Sequence, residues 1–289
     1  VFDNGTTLGF VFESRLPNGM SAFAHLEEDG FDAADGGGTP NITDEAYFGL
    51  RGDFGEILFG RNDAIYGDLI SGHFNYQEVN APTSFDPTRE GVFQFRSSDL
   101  NGFSVAFEAE VSGDADEAIS GSDPRGNSAD SLSLAGAVSY SVNALTVTGA
   151  IDQRGNDLGT IGGSIVAPGV GRLQNTGNFY ADSPILGAVA SLDLNPLILS
   201  AGYQRAEEQV FNDSIDIDIA SFDAQYSYGM GNLYGTINAV GAEAYNDHTE
   251  LSLGGTYGVG QIYGFVEYIQ YDKANDRDDA VSVGGGYNF

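Results

Sequence analysis

The sequence predicts an all-β fold: a single antiparallel β-barrel crossing a membrane, with 16 strands by the even-number rule for such barrels. Three observations predict it. Period-two alternation of apolar and polar residues runs through most of the chain, while helical periodicity is almost absent. The alternating runs number about fifteen and span roughly 8–12 residues, the length a tilted membrane strand requires. Their connections alternate between tight turns and long acidic loops, as they must when turns lie on one side of a membrane and loops on the other. A soluble sandwich or propeller has no reason to sort its loops so cleanly.

The first run covers 6–15, with Leu8, Phe10 and Phe12 on one face and Glu13 and Arg15 on the other. Pro17, Asn18 and Gly19 turn it tightly into 20–28, where Ala22, Ala24 and Leu26 alternate with Phe23, His25 and Glu27. After an acidic, Gly-rich loop at 29–42 comes 43–51, with Ala46, Phe48 and Leu50 set against Glu45, Tyr47 and Arg51. A Gly-Asp-Phe-Gly turn leads to 56–61, and residues 62–90 then interrupt the rhythm. It resumes with 91–98, the turn 99–102 and 103–111, where Phe103, Val105 and Phe107 alternate with Ser104, Ala106 and Glu108. Beyond the acidic loop 112–129, runs 130–140 and 144–152 share the turn 141–143. The long loop 153–182 has room for a short strand of its own, and 183–192 meets 197–205 at the tight turn 193–196. The remaining hairpins pair 217–228 with 233–241 and 248–257 with 261–271, and a last loop leads to 278–289. Counting back from that final strand, the first strand begins on the long-loop side. Parity therefore places a sixteenth strand before residue 6, with 1–5 the tail of a long loop; a miscounted hairpin is the alternative.

Composition narrows the function classes. The chain has 289 residues with 41 Gly, 15 Tyr and 19 Phe, and neither Trp nor Cys, so disulfides and thiolate metal sites are excluded. A net charge of −31 repels nucleic-acid phosphates and favours cations. No apolar run reaches the ~18–20 residues of a spanning helix, which says nothing against strands that face lipid with alternate residues. There is no H-E-x-x-H, no G-x-S-x-G and no phosphate-binding loop, and the glycines at 159–163 lack the helix a dinucleotide site needs. No enzyme is expected.

The interruption at 62–90 is the candidate functional segment within a single domain spanning 1–289. Loops of this length inside a compact domain are usually functional or disordered, and Tyr66, Phe74, Tyr76 and Phe85 give this one apolar surface to pack. It is expected to fold into the barrel lumen and narrow it, presenting Asp63, Asp68, Glu78, Asp86 and Glu90. Arg15, Arg51 and Arg96 lie in phase with polar residues and so avoid lipid; Arg61 sits at a strand end where phase is harder to read. The alternative to a role in the pore, and compatible with it, is that these arginines pair with Glu13, Glu27 and Glu45 to fill the lumen or brace the wall. Acidic runs, with Asp213, Asp216 and Asp218 the foremost, offer hard oxygen ligands for weakly held calcium, although none has the full spacing of a calcium loop.

Residues 44–61, DEAYFGLRGDFGEILFGR, resemble the strand–turn–strand that precedes the inward-folded loop of trimeric general porins from Gram-negative outer membranes. The opening hairpin GFVFESRLPNGMSAFAHLEEDG is similar to that family's second and third strands, and the closing VSVGGGYNF to its C-terminal strand. The resemblance implies a homotrimer set in outer-membrane lipid or detergent, passing small hydrophilic solutes and ions. It also implies that the acidic edge of 62–90 faces a rim of Arg15, Arg51, Arg61 and Arg96 across the pore. The charge balance adds an expected preference for cations. The alternatives are a substrate-selective outer-membrane channel and a secreted acidic β-rich adhesin or calcium-binding surface protein.

Overall fold

A computed structural model describes residues 8–29, 42–74, 76–77, 82–85, 91–111, 132–153, 166–167, 171–172, 184–210, 213–242, 247–272 and 279–287. The first four wall strands are β1 (Leu8–Arg15), β2 (Ser21–Asp29), β3 (Ile42–Gly52) and β4 (Gly55–Arg61). A short helix α1 (Ile65–Leu69) and a 3-10 turn (Ser71–Phe74) follow. The wall continues with β5 (Val92–Ser97), β6 (Phe103–Val111), β7 (Leu132–Val142) and β8 (Leu145–Gln153). Two-residue strands β9 (Val166–Ala167) and β10 (Gly171–Arg172) pair only with each other. The last seven are β11 (Ile185–Asp193), β12 (Leu197–Val210), β13 (Asp213–Ser227), β14 (Asn232–Ala242), β15 (His248–Val259), β16 (Ile262–Asp272) and β17 (Ala280–Tyr287).

Apart from β9 and β10, these strands form one 15-stranded antiparallel sheet in sequence order, with β1 and β17 at its edges. Every neighbour is reached by a hairpin or a loop, the local connectivity that tight turns impose. At Asn101 and Gly102 both φ angles are positive (61° and 90°), the backbone a two-residue hairpin turn needs.

Register carries the alternation from strand to strand, with a shift between Glu27 and Glu28 where β2 pairs with β3. Phe12 faces Ala24, Phe48 faces Phe59, and Phe107 lies opposite Phe95 and Gly136, all on one face. That face is open: Phe10 is 48% exposed, Phe48 62% and Val283 78%. Large apolar side chains left uncovered over a whole sheet face are what a lipid-facing wall presents. Near the tight turns it carries exposed aromatics, among them Phe54, Phe103, Tyr140, Tyr226, Tyr257 and Tyr287, placed as an interfacial girdle. Phe103 and Tyr140 pack with ring centroids 4.4 Å apart.

The opposite face is polar and partly covered, with Glu108, Ser133, Gln204, Asp223, Asn238, Glu250 and Glu267 all buried. Residues of the 62–85 stretch hydrogen-bond to β5, β6, β12, β14 and β15. A single short stretch reaches strands so far apart in sheet order only because the sheet curls around it.

One expectation is corrected. An acidic loop is expected between 205 and 217, whereas 206–210 and 213–216 are strand, because β12 runs to Val210 and β13 starts at Asp213. Alternation persists there, with Ala206 and Ile217 buried on the inner face. The outer-face acids made it look like a solvated turn.

Candidate functional site

Residues 62–85 are held on the inner face by apolar packing and by hydrogen bonds. Tyr66, Ile70, Phe74 and Phe85 join Ile185, Val189, Ala206, Ile217, Ile219 and Val240 in one buried cluster. Fully burying a large apolar side chain contributes about 1.5–3 kcal/mol, so these four segment residues gain roughly 6–12 kcal/mol against the cost of ordering the chain. Ile65 and Tyr66 point to the wall while Asp68 stays exposed. One helical turn gives too few residues for periodicity to betray it, and that is why α1 was not legible beforehand.

The polar anchors come from the wall. The Ile65 N–H donates to Glu108 Oε2 at 3.0 Å, which sets a carboxylate at the first turn of α1. Gln94 Nε2 donates to the same Glu108 oxygen (2.7 Å) and to the Asp63 carbonyl (2.6 Å). Gln204 Oε1 accepts from the Tyr66 hydroxyl (3.2 Å), the Ser71 hydroxyl (3.3 Å) and the Phe85 N–H (3.4 Å). At the far end Thr83 donates to Glu250 twice, from its N–H (2.6 Å) and its hydroxyl (2.7 Å). Asn238 Nδ2 donates to the Thr83 carbonyl at 2.7 Å. Bonds to an ionised carboxylate are the stronger kind, so Glu108 and Glu250 clamp the two ends. Burial lowers the His73 imidazole below its ordinary pKa of 6.5. It raises the Tyr76 phenol above 10.0, with the Asp223 carboxylate adding to the effect. Both side chains are therefore neutral at pH 7.

Three of the four arginines lie along one row. Cross-strand pairing runs Arg15–Ser21–Arg51–Glu56–Arg96 on the inner face near the tight turns. Arg51 sits 4.2 Å over the Phe23 ring, with its Nε 3.6 Å from Glu56 Oε2. Arg96 is ion-paired directly with Asp68 of α1, so these two meet rather than face each other across a gap. Arg61 pairs in register with Ala46, in phase with Phe59 instead of the row. Asp63 is exposed and lies on the segment just before α1. Glu78, Asp86 and Glu90 lie outside the described residues, as do most of the loops 29–42 and 112–129. Asp216 and Asp218 are strand residues facing Arg205, at 2.6 and 3.9 Å. An Arg–carboxylate arrangement already satisfies them.

The whole chain, residues 1–289, matches the family described as Gram-negative porin. It is a member of that family. The porin is therefore a channel protein of the bacterial outer membrane rather than an enzyme. It is 25% identical over 302 residues to the monosaccharide porin of a Halomonas species, an alignment covering 100% of this chain and 75% of that one. The major outer membrane protein of Halomonas elongata matches to the same extent. Among solved structures, the anion-selective porin from Comamonas acidovorans superposes with a TM-score of 0.70 at 15% identity, covering 96% of this chain and 83% of the other. OmpF of Salmonella typhi, solved with daunomycin, gives 0.69 at 19% identity, covering 97% and 88%.

Sequence reasoning missed the residues of this porin that hold the segment: Gln94, Glu108, Gln204, Asn238 and Glu250. A usable signal existed, since alternation puts each of them on the polar face. Which polar wall residue meets the segment depends on curvature, and no periodicity carries that.

Proposed function

We propose that this porin is a passive diffusion channel for small hydrophilic solutes and ions, narrowed by residues 62–90 and preferring cations. The observation that carries the reading is the docking of 62–85 on the concave face, between Glu108 and Glu250 and beside the row of Arg15, Arg51 and Arg96. In a barrel this wide the lumen is aqueous, and its narrowest charged stretch sets permeability. Asp63 and Asp68 supply the acidic edge, together with Glu78, Asp86 and Glu90. Wall acids Glu108, Glu110, Asp152, Asp223, Glu250 and Glu267 add to an inner field whose overall sign follows the −31 net charge. Arg96 is partly spent on Asp68, which weakens the basic side further.

The name of the Halomonas relative supports passage of small sugars. A Vibrio cholerae OmpT structure described as a trimer form, which covers 97% of this chain with a TM-score of 0.65, supports a homotrimer with the open apolar face in lipid or detergent. The test is single-channel recording in a planar bilayer under a potassium chloride gradient. Stable ohmic steps, grouped in threes, should reverse on the potassium side of zero. Replacing Arg15, Arg51 and Arg96 by Gln should move reversal further toward potassium, and Asp68→Asn should move it back. Reversal on the chloride side in the unaltered protein would overturn the cation preference, and absence of steps the channel itself.

A further inference from the structure

Midway along β2, on the inner face, three side chains from two strands converge. His25 and Glu27 stand on β2, and Glu45 on β3. Their donor atoms all lie within 4.8 Å of one another. Glu27 and Glu45 are direct cross-strand partners, an arrangement of like charges that destabilises a sheet unless a positive group sits between them.

The imidazole is oriented. Nδ1 lies 2.9 Å from Glu45 Oε2 and 3.0 Å from the Tyr47 hydroxyl. An ionised carboxylate has no proton to offer, so Nδ1 carries the hydrogen and donates it toward Glu45. In the neutral ring the Nε2 lone pair is then left on the other side. There it finds Glu27 Oε2 at 3.6 Å, too long for a hydrogen bond. Both atoms border the same space. A Cβ built on Gly9 of β1 would stand 3.5 Å from Glu27 Oε2 and 3.5 Å from His25 Nε2; with glycine there, the space stays open.

We propose that His25 Nε2 and Glu27 Oε2 bind a transition-metal dication such as zinc, with Glu45 completing the site. Donors 3.6 Å apart, each about 2.1 Å from one ion, subtend an angle of about 120° at it, within reach of four-coordinate geometry. Glu45 on Nδ1 is the carboxylate partner that fixes the tautomer of metal-binding histidines and raises their basicity. Water from the lumen supplies the remaining ligands, since the three side chains are 17–27% exposed. An imidazole in the set selects zinc, copper or nickel over calcium and magnesium, which prefer oxygen. A bound dication neutralises the Glu27–Glu45 pair and lowers cation flux past that stretch of wall.

The experiment titrates the detergent-solubilised full chain with zinc by calorimetry, and with copper by electron paramagnetic resonance. One site per chain is expected, with hyperfine coupling to a single imidazole nitrogen in the copper spectrum. His25→Asn should abolish that coupling and weaken zinc binding at least tenfold. Glu45→Gln should weaken it about 10–100-fold, the range for loss of a histidine's carboxylate partner. In bilayers, zinc should reduce conductance reversibly in the unaltered chain and not in His25→Asn. Circular dichroism and heat-modifiable migration on gels confirm that the variants fold. Identical zinc isotherms for His25→Asn and the unaltered chain would overturn the site. So would full displacement of zinc by equimolar calcium, which would mean simple attraction to acids.

Discussion

Gln204 receives three donors through one oxygen, and all three come from the segment lying over it. A carbonyl oxygen has two lone pairs, so the bonds are shared and long, at 3.2–3.4 Å. Their value lies less in strength than in avoidance: without Gln204, two hydroxyls and an N–H are left buried with one bond fewer. A group orphaned in this way costs about 1–3 kcal/mol. Gln204→Ala is therefore expected to loosen residues 62–90 by about that amount while the wall strands keep their thermal stability. Faster limited proteolysis within the segment and noisier open-channel current would show it. Unchanged protease resistance would mean that apolar packing alone holds the segment.

Docking needs room as well as partners. Gly187 on β11 and Gly202 on β12 both face inward under the segment. A Cβ on Gly187 would collide with the Tyr66 hydroxyl, and one on Gly202 would come within 2.5 Å of the Phe74 ring. Two strands thus omit side chains where the segment's aromatics press against the wall, and the strand propensity they forgo is recovered in packing. Gly187→Val adds a β-branched residue that favours strand and collides only with segment side chains, so the barrel should still form, yet Tyr66 and Ile70 must leave their seats. Larger single-channel conductance with frequent transitions is the expected outcome; current traces matching the unaltered protein would refute it. The sequence contains both glycines, but a strand with Gly in it reads only as a weaker strand until the element packed on it is known.

At the scale of the molecule, one charge pattern serves two solvents. Outward residues give lipid an apolar band, and inward residues give water a wall of acids and an arginine row. Selectivity that arises from this summed field must be screened by salt. The Debye length falls from about 10 Å at 0.1 M to about 3 Å at 1 M, less than the distance from wall to pore axis in a barrel this wide. Preference for potassium over chloride is accordingly expected to shrink severalfold between 0.1 and 1 M salt at a fixed gradient ratio. A preference that survives at 1 M would point to ions held by short-range contacts instead, such as those with Asp63 or Asp68.

Strand identity, the two faces and the sorting of turns from loops were all determined by the sequence itself. They rest on a period of two residues and on turn chemistry, both local properties of the chain. The phase of Arg15, Arg51 and Arg96 was likewise readable, because each lies within a few residues of Phe or Leu facing the other way. Curvature decided the rest. It brings Gln94, Glu108, Gln204, Asn238 and Glu250 around one segment and sets Asp68 on Arg96. Those contacts join residues tens to more than a hundred positions apart, and no repeat along the chain encodes how far the sheet has curled before it meets the segment.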